Sequence, residues 1–304
     1  MNFTKNDTSI VKGIAILIVI VSHWYRYVAI DAPLHFIYHF GFYGAALFSF
    51  MSGYGVYKSY ANRGFYKDWI VKKIKYVYIP YIIICIIANI VVYKYYKYDI
   101  SFLWGAGKDF TMWYVPWIML FYILFRLIYG LSISKNANNL MLVIVYFIIT
   151  QLLISLTNIS SVWYTCNGAL VMGVIISECT TIMTKRKGLV SMLLGIVSSI
   201  LFAYLGIVTD NKGYYYIHDW AVIASGIAFC ISIYYLMMIF SNVLENIYLD
   251  KFLVSIGGIS YYVYITHMKV LYFLSESNII IFMILSIAIA FLVKKCFTVL
   301  KLVK

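Results

Sequence analysis

The chain is built from blocks of about twenty apolar residues, and that length limits what it can fold into. A helix rises ~1.5 Å per residue, so one such block crosses the ~30 Å hydrocarbon core of a bilayer. Ten blocks are readable, at residues 11–30, 41–60, 76–96, 111–131, 140–157, 162–183, 189–208, 220–241, 252–274 and 278–295. Strands of a membrane barrel would alternate apolar and polar side chains, and these blocks do not. The charged fraction of 12% is about half that of a soluble domain. The sequence therefore predicts an all-α, polytopic membrane protein with about ten transmembrane helices. No hydrophilic stretch is long enough for a soluble domain, so residues 1–304 read as a single transmembrane domain. The first block lacks a following small-residue cleavage site and reads as a spanning helix, not a removed signal.

The net charge of +13 does not imply a nucleic-acid partner. The basic residues lie between apolar blocks, where they set orientation. With the N-terminus inside, 18 of the 24 Lys and Arg residues fall on the inner side, leaving Arg26, Lys94, Lys97, Lys108, Lys212 and Lys269 outside. Both termini are thus expected in the cytoplasm, and the plasma membrane of a bacterial cell is the expected location. The densest basic patch, residues 61–75, faces the cytoplasm. The five cysteines form no CxxC pair and read as small buried hydrophobes.

A few polar residues sit inside the apolar blocks. Lys12 and His23 share the first one. Eleven residues at ~100° each is about three turns plus ~20°, so both lie on one helix face, roughly 16 Å apart. Lys12 alone could snorkel to the headgroups, and His23 alone could be a packing histidine. As a pair at membrane depth they read as a functional site. In the ninth block, Ser260, Tyr264 and His267 fall at i, i+4 and i+7, one stripe that should turn into the bundle. Both helices run outward, which brings His267 to a depth like that of His23. Trp113, Tyr114 and Trp117 crowd the outer end of the fourth block, where an aromatic belt would also put them. Glu178 is the one acidic residue deep in an apolar block and suits a lysine partner or the inner interface. His35, His39, His218 and Asp219 fall in outer loops without diagnostic metal spacing, so no metal site is expected. Asn89 and Asn167 suit hydrogen bonds between helices.

Five segments taken in order resemble the acyltransferase-3 family of integral-membrane O-acyltransferases. Lys12 and His23 fit its R/K-x10-H signature, with Lys where Arg is usual. LFSFMSGYGVY, holding Ser52, resembles its second-helix segment. The basic loop ending in KYVYIPY, with Pro80, resembles its RRxxRIxPxY segment. MWYVPWIMLFY, with Trp113, resembles its fourth helix, and GISYYVYITHMKVL resembles its GxxSYxiYLxH signature. Lys72 and Lys75 keep the RxxR spacing, whereas aligning on Pro80 selects Lys73 and Tyr76.

The resemblance implies an O-acetyltransferase that moves an acetyl group from cytoplasmic acetyl-CoA, or another acyl-CoA, to a hydroxyl of a cell-surface polysaccharide or glycolipid. No permanently bound cofactor is implied, because the acyl-CoA is a donor substrate. His23 would be the catalytic base, with Lys12 and His267 in the catalytic set. Lys12, Lys72, Lys73 and Lys75 would hold the CoA phosphates, and Ser52, Trp113, Ser260 and Tyr264 would line the cavity. The chemistry suits these residue types. An alcohol needs a base to attack a thioester, and histidine titrates near ~6.5. The alternative is a transporter or lipid-linked glycan flippase, which would call for paired charges with broken helices or repeated halves.

Overall fold

The computed structural model describes residues 3–29, 31, 33–92, 110–130, 139–155, 165–179, 185–244, 248–274 and 278–302. Among them every regular element is helical, with no strand. The elements are α1 (Lys5–Tyr27), a 3-10 turn (His35–Phe40), α2 (Gly41–Arg63), α3, α4 (Tyr114–Gly130), α5 (Asn139–Ser155), α6 (Asn167–Glu178), α7 (Lys185–Asn211), α8 (Tyr215–Leu244), α9 (Tyr248–Leu274) and α10 (Ile279–Val299). We treat α3 as one helix made of α-turns at Trp69–Lys73 and Ile79–Ile87 and π-turns at Ile74–Tyr78 and Ala88–Val92. The predicted block ends at residues 30, 93–96, 131, 156–157, 162–164 and 180–183, and the basic residues Lys94, Lys97, Lys108 and Lys135, lie outside the described residues.

Among the described residues, five helical stretches are long and apolar enough to cross a membrane: Lys5–Tyr27, Trp69–Val91, Lys187–Asn211, Tyr215–Phe240 and Ile279–Val299. Tyr114–Gly130, Met141–Leu152 and Asn167–Glu178 are apolar but shorter. Helices α2 and α9 are long, at 23 and 27 residues, yet miss that standard. Their sequences explain the shortfall. Ser49, Ser52 and Lys58 interrupt α2, and Ser260, Thr266, His267 and Lys269 interrupt α9. Ser49, Ser260, Thr266, His267 and Lys269 are all buried. A helix that keeps polar groups inside a bundle needs neighbours, and α1 lies against both of these helices.

Local rules set where the helices begin. Helix α1 starts at Lys5, ahead of the predicted start at residue 11, because Thr4 and Asp7 form a capping box. The Asp7 N–H donates to Thr4 Oγ1 at 3.1 Å, and the Thr4 N–H donates to Asp7 Oδ2 at 2.7 Å. Two orphan donors are satisfied before the apolar run opens. Helix α3 starts at Trp69, ahead of the predicted start at residue 76, so the basic loop is partly helical. Its first π-turn ends just before Pro80. Proline has no N–H for the carbonyl four residues back and its ring crowds that carbonyl, so a widened turn relieves both. The Tyr261 hydroxyl of α9 donates to the Val77 carbonyl inside that turn.

The packing around α1 depends on glycine. Helix α1 runs parallel to α9: residues 9–13 face 253–257, and His23 faces His267. A Cβ added at Gly257 would collide with the Ser9 carbonyl, and one at Gly13 with the Leu253 carbonyl. The two backbones approach closer than any side chain would allow. Around this pair, α2 packs antiparallel to α1, α10 lies against α9, α6 lies against α2, and α7 and α8 form a hairpin against α6 and α2. Asn167 of α6 donates from Nδ2 to Thr150 Oγ1 of α5 at 2.7 Å, the interhelical bond expected of it.

Gly257→Ala should therefore lower thermal stability in detergent, by about 1–3 kcal/mol for an overpacked contact. Gly258→Ala, where a Cβ meets nothing within 4 Å, should be neutral. Equal melting temperatures for the two variants would show that the α1–α9 approach is not tight.

Candidate active site

Helices α1 and α9 each contribute one histidine, and the two rings meet. His23 Nδ1 lies 2.7 Å from His267 Nε2, with the ring planes 11° apart. A contact that short between nearly parallel rings is an edge-to-edge hydrogen bond in one plane, not a face-to-face stack. His267 is fully buried, at 0% exposure, while His23 is half-buried.

The neighbours of His267 fix the protons. Its Nδ1 lies 2.8 Å from the Tyr264 carbonyl and 3.1 Å from the Val263 carbonyl. Carbonyl oxygens only accept, so Nδ1 carries a hydrogen. In a neutral His267 the lone pair is then on Nε2. That nitrogen accepts from His23, so the His23 hydrogen sits on Nδ1 and its lone pair on Nε2. The α9 backbone thus selects the tautomer of a histidine on another helix. A proton added at His23 Nε2 would make an imidazolium that donates to His267, whose own Nδ1–H is held by two carbonyls. The pair is built to take up one proton at the more accessible ring.

Two further helices join at this level. The Tyr114 N–H, at the start of α4, donates to the Tyr264 hydroxyl at 3.2 Å, and the Tyr264 and His267 rings are 6.0 Å apart. The Tyr114 hydroxyl shares a hydrogen bond of 3.1 Å with Ser52 Oγ of α2. An unbroken series therefore runs from Ser52 through Tyr114 and Tyr264 to His267 and His23. Trp113 packs edge-on against Tyr114 and Trp117, with ring centroids 5.8 Å and 5.9 Å away. Ser260 is buried but donates to the Gly257 carbonyl of its own helix at 2.9 Å, so its hydroxyl is turned to the helix and not to the dyad.

The cations gather elsewhere. Lys12 is half-buried on α1, and the charge of Lys73 bears on it. The Lys73 ammonium lies over the Tyr122 ring at 4.1 Å and the Trp69 ring at 5.3 Å. Lys72 instead covers Tyr66 at 4.3 Å, and Lys75 lies 5.5 Å from the Tyr76 ring. Of the three lysines at the start of α3, Lys73 is the one whose charge bears on Lys12.

Tyr114, which the sequence alone places in an interfacial belt, connects α2, α4 and α9. Its position beside Trp113 in MWYVPW was the available signal. Lys269, two residues beyond His267, is only 8% exposed and was counted solely as an outer charge. Glu178 accepts from the Tyr129 hydroxyl at 2.8 Å, a tyrosine partner where a lysine was one expectation. His35 Nδ1, in the 3-10 turn, contacts the Tyr25 carbonyl at 3.0 Å; His218, expected in a loop, instead lies in the first turn of α8, where its Nδ1 contacts the Gly206 carbonyl at 2.9 Å. Partial burial, then the charges of His35 and Arg26, hold the imidazole of His39 below its ordinary value.

The acyltransferase-3 family model, described as an acyltransferase domain, matches residues 8–299. The chain belongs to this family. No curated protein and no solved structure matches it. The match covers both dyad histidines and the lysines at the start of α3, and with the apolar helices it makes the protein a membrane acyltransferase.

Tyr264→Phe should remove the acceptor for the Tyr114 N–H. An orphaned buried N–H costs about 1–3 kcal/mol, so thermal denaturation in detergent should fall while the protein still inserts. An unchanged melting curve would mean that this bond does not tie α4 to α9.

Proposed function

We propose that this acyltransferase is an O-acetyltransferase of the bacterial plasma membrane, moving an acetyl group from cytoplasmic acetyl-CoA to a hydroxyl of a cell-surface polysaccharide or glycolipid. The observation that carries this reading is the proton arrangement of the histidine dyad. His23 Nε2 holds a lone pair on the accessible ring. It takes the proton of the acceptor hydroxyl as the oxygen attacks the thioester carbonyl. The C–O bond forms, the C–S bond breaks, and the proton passes to the leaving thiolate to give the free thiol. While His23 carries the charge, His267 and its two carbonyls stabilise it. His267 is in this scheme a positioning residue that fixes the tautomer.

The distance of Lys12 and Lys73 from the dyad supports an acyl-CoA donor. Lys12 lies eleven residues before His23 on one helix, about 16 Å along the axis. A chain of roughly five residues has that reach when extended, and the pantetheine arm of CoA is of similar length. Phosphates bound near Lys12 and Lys73 would therefore leave the thioester at His23. Lysine suits this task as a compact charge for phosphate oxygens, and the aromatic rings of Trp69 and Tyr122 hold the Lys73 ammonium in place.

Replacing a general base typically removes ~10²–10⁴ in rate. His23→Ala should lose acetyl transfer by that factor in membranes supplied with labelled acetyl-CoA, while the protein inserts and melts normally. Near-normal transfer by a folded His23→Ala protein would overturn the assignment. Mass spectrometry of surface glycans from cells with and without the protein should identify the acceptor as the species that loses acetyl groups.

A further inference from the structure

We infer that Arg126 is a further donor-binding residue, which holds the ribose 3′-phosphate of the acyl-CoA; the inference rests on the donor proposed above. Arg126 is in the last turns of α4, its guanidinium 5.4 Å from the Phe65 ring centroid. Its Nη1 is buried and has no hydrogen-bond partner among the described residues. A buried guanidinium nitrogen without an acceptor is a costly arrangement in a protein that has nothing to bind there. Guanidinium is also the side chain best shaped to grip a phosphate with two parallel bonds.

Its level in the bundle gives it a specific role. Helix α4 enters beside the dyad, where the Tyr114 N–H meets Tyr264. Arg126 is twelve residues further along, about 18 Å down the axis. Tyr122, the ring beneath Lys73, lies on the same face one turn nearer the dyad. Phe65 and Trp69, with ring centroids 5.3 Å apart, connect the two cations, since Arg126 lies over the first and Lys73 over the second. Moving away from the dyad, the order is therefore Lys73 and then Arg126. In acetyl-CoA the order from the thioester is the diphosphate and then the 3′-phosphate on the ribose. Lys12 and Lys73 match the first and Arg126 matches the second.

Acetyl-CoA and 3′-dephospho-acetyl-CoA separate the two contacts. Calorimetric titration of the purified full chain in phosphatidylcholine nanodiscs should show tighter binding of acetyl-CoA than of the dephospho compound. Arg126→Gln should weaken acetyl-CoA binding about ten- to a hundred-fold, the range of a lost charge-assisted hydrogen bond. It should leave the dephospho compound unchanged, so the preference disappears. Arg126→Lys should restore part of it. Equal weakening of both ligands, or no change in either, would overturn the role of Arg126 and leave the donor intact. Unchanged acetyl-CoA affinity with altered stability in phosphatidylglycerol nanodiscs would assign Arg126 to a lipid headgroup and also overturn it. Failure of the wild-type protein to bind acetyl-CoA would instead overturn the donor reading together with this one.

Discussion

The close approach of α1 to α9 is the constraint on which the rest of the site depends. Gly13 and Gly257 let two helix backbones touch where any side chain would hold them apart. Two parallel helices joined on the N-terminal side stay in register further along, and that register brings His23 and His267 to 2.7 Å. Helix α9 carries Ser260, Thr266 and His267 inside an apolar bundle. Polar groups at this depth are expensive without partners. Here the backbone supplies them: Ser260 donates to Gly257, Thr266 to Tyr262, and His267 to Val263 and Tyr264.

The bundle sets one group of cations well apart from the dyad. Near the level of the dyad lie the hydroxyls, imidazoles and aromatic rings of Ser52, Tyr114, Tyr264, His23 and His267. Lys12, Lys73 and Arg126 lie more than two turns away, while Arg26 and the buried Lys269 stand within one turn of the dyad along α1 and α9. A long flexible arm on the donor would connect the dyad to the distant cations.

Much of this was legible in the sequence, and the parts that were not have physical reasons. The helical class follows from block length and the absence of alternation. The inward turn of the stripe carrying Tyr264 and His267 follows from helical period. The pairing of His23 with His267 could be placed only to a common depth, because a sequence pattern gives depth and face but not the azimuth of one helix around another. That azimuth is set by Gly13 and Gly257, which read as ordinary small residues until their neighbours are known. Helix starts at Lys5 and Trp69 were missed because the apolar pattern begins later than the cap or the loop turn that nucleates the helix. Tyr114 was masked by its neighbours, since Trp113 and Trp117 give it the look of an interfacial belt. Arg126 was masked by its place in the chain, since a basic residue at the end of an apolar block is also what membrane orientation alone would ask for.

The central claim is that His23 and His267 act as one unit, with proton uptake at His23 and the tautomer fixed by His267. A double-mutant cycle on the rate of acetyl transfer tests it most directly, using His23→Ala, His267→Ala and the double variant, each shown to be folded. Residues acting as a unit are strongly non-additive. The account predicts that His267→Ala in the His23→Ala background costs little beyond the loss already caused by His23→Ala. Losses that multiply, with the double variant slower by the product of the two single effects, would show that the histidines work independently and would contradict it.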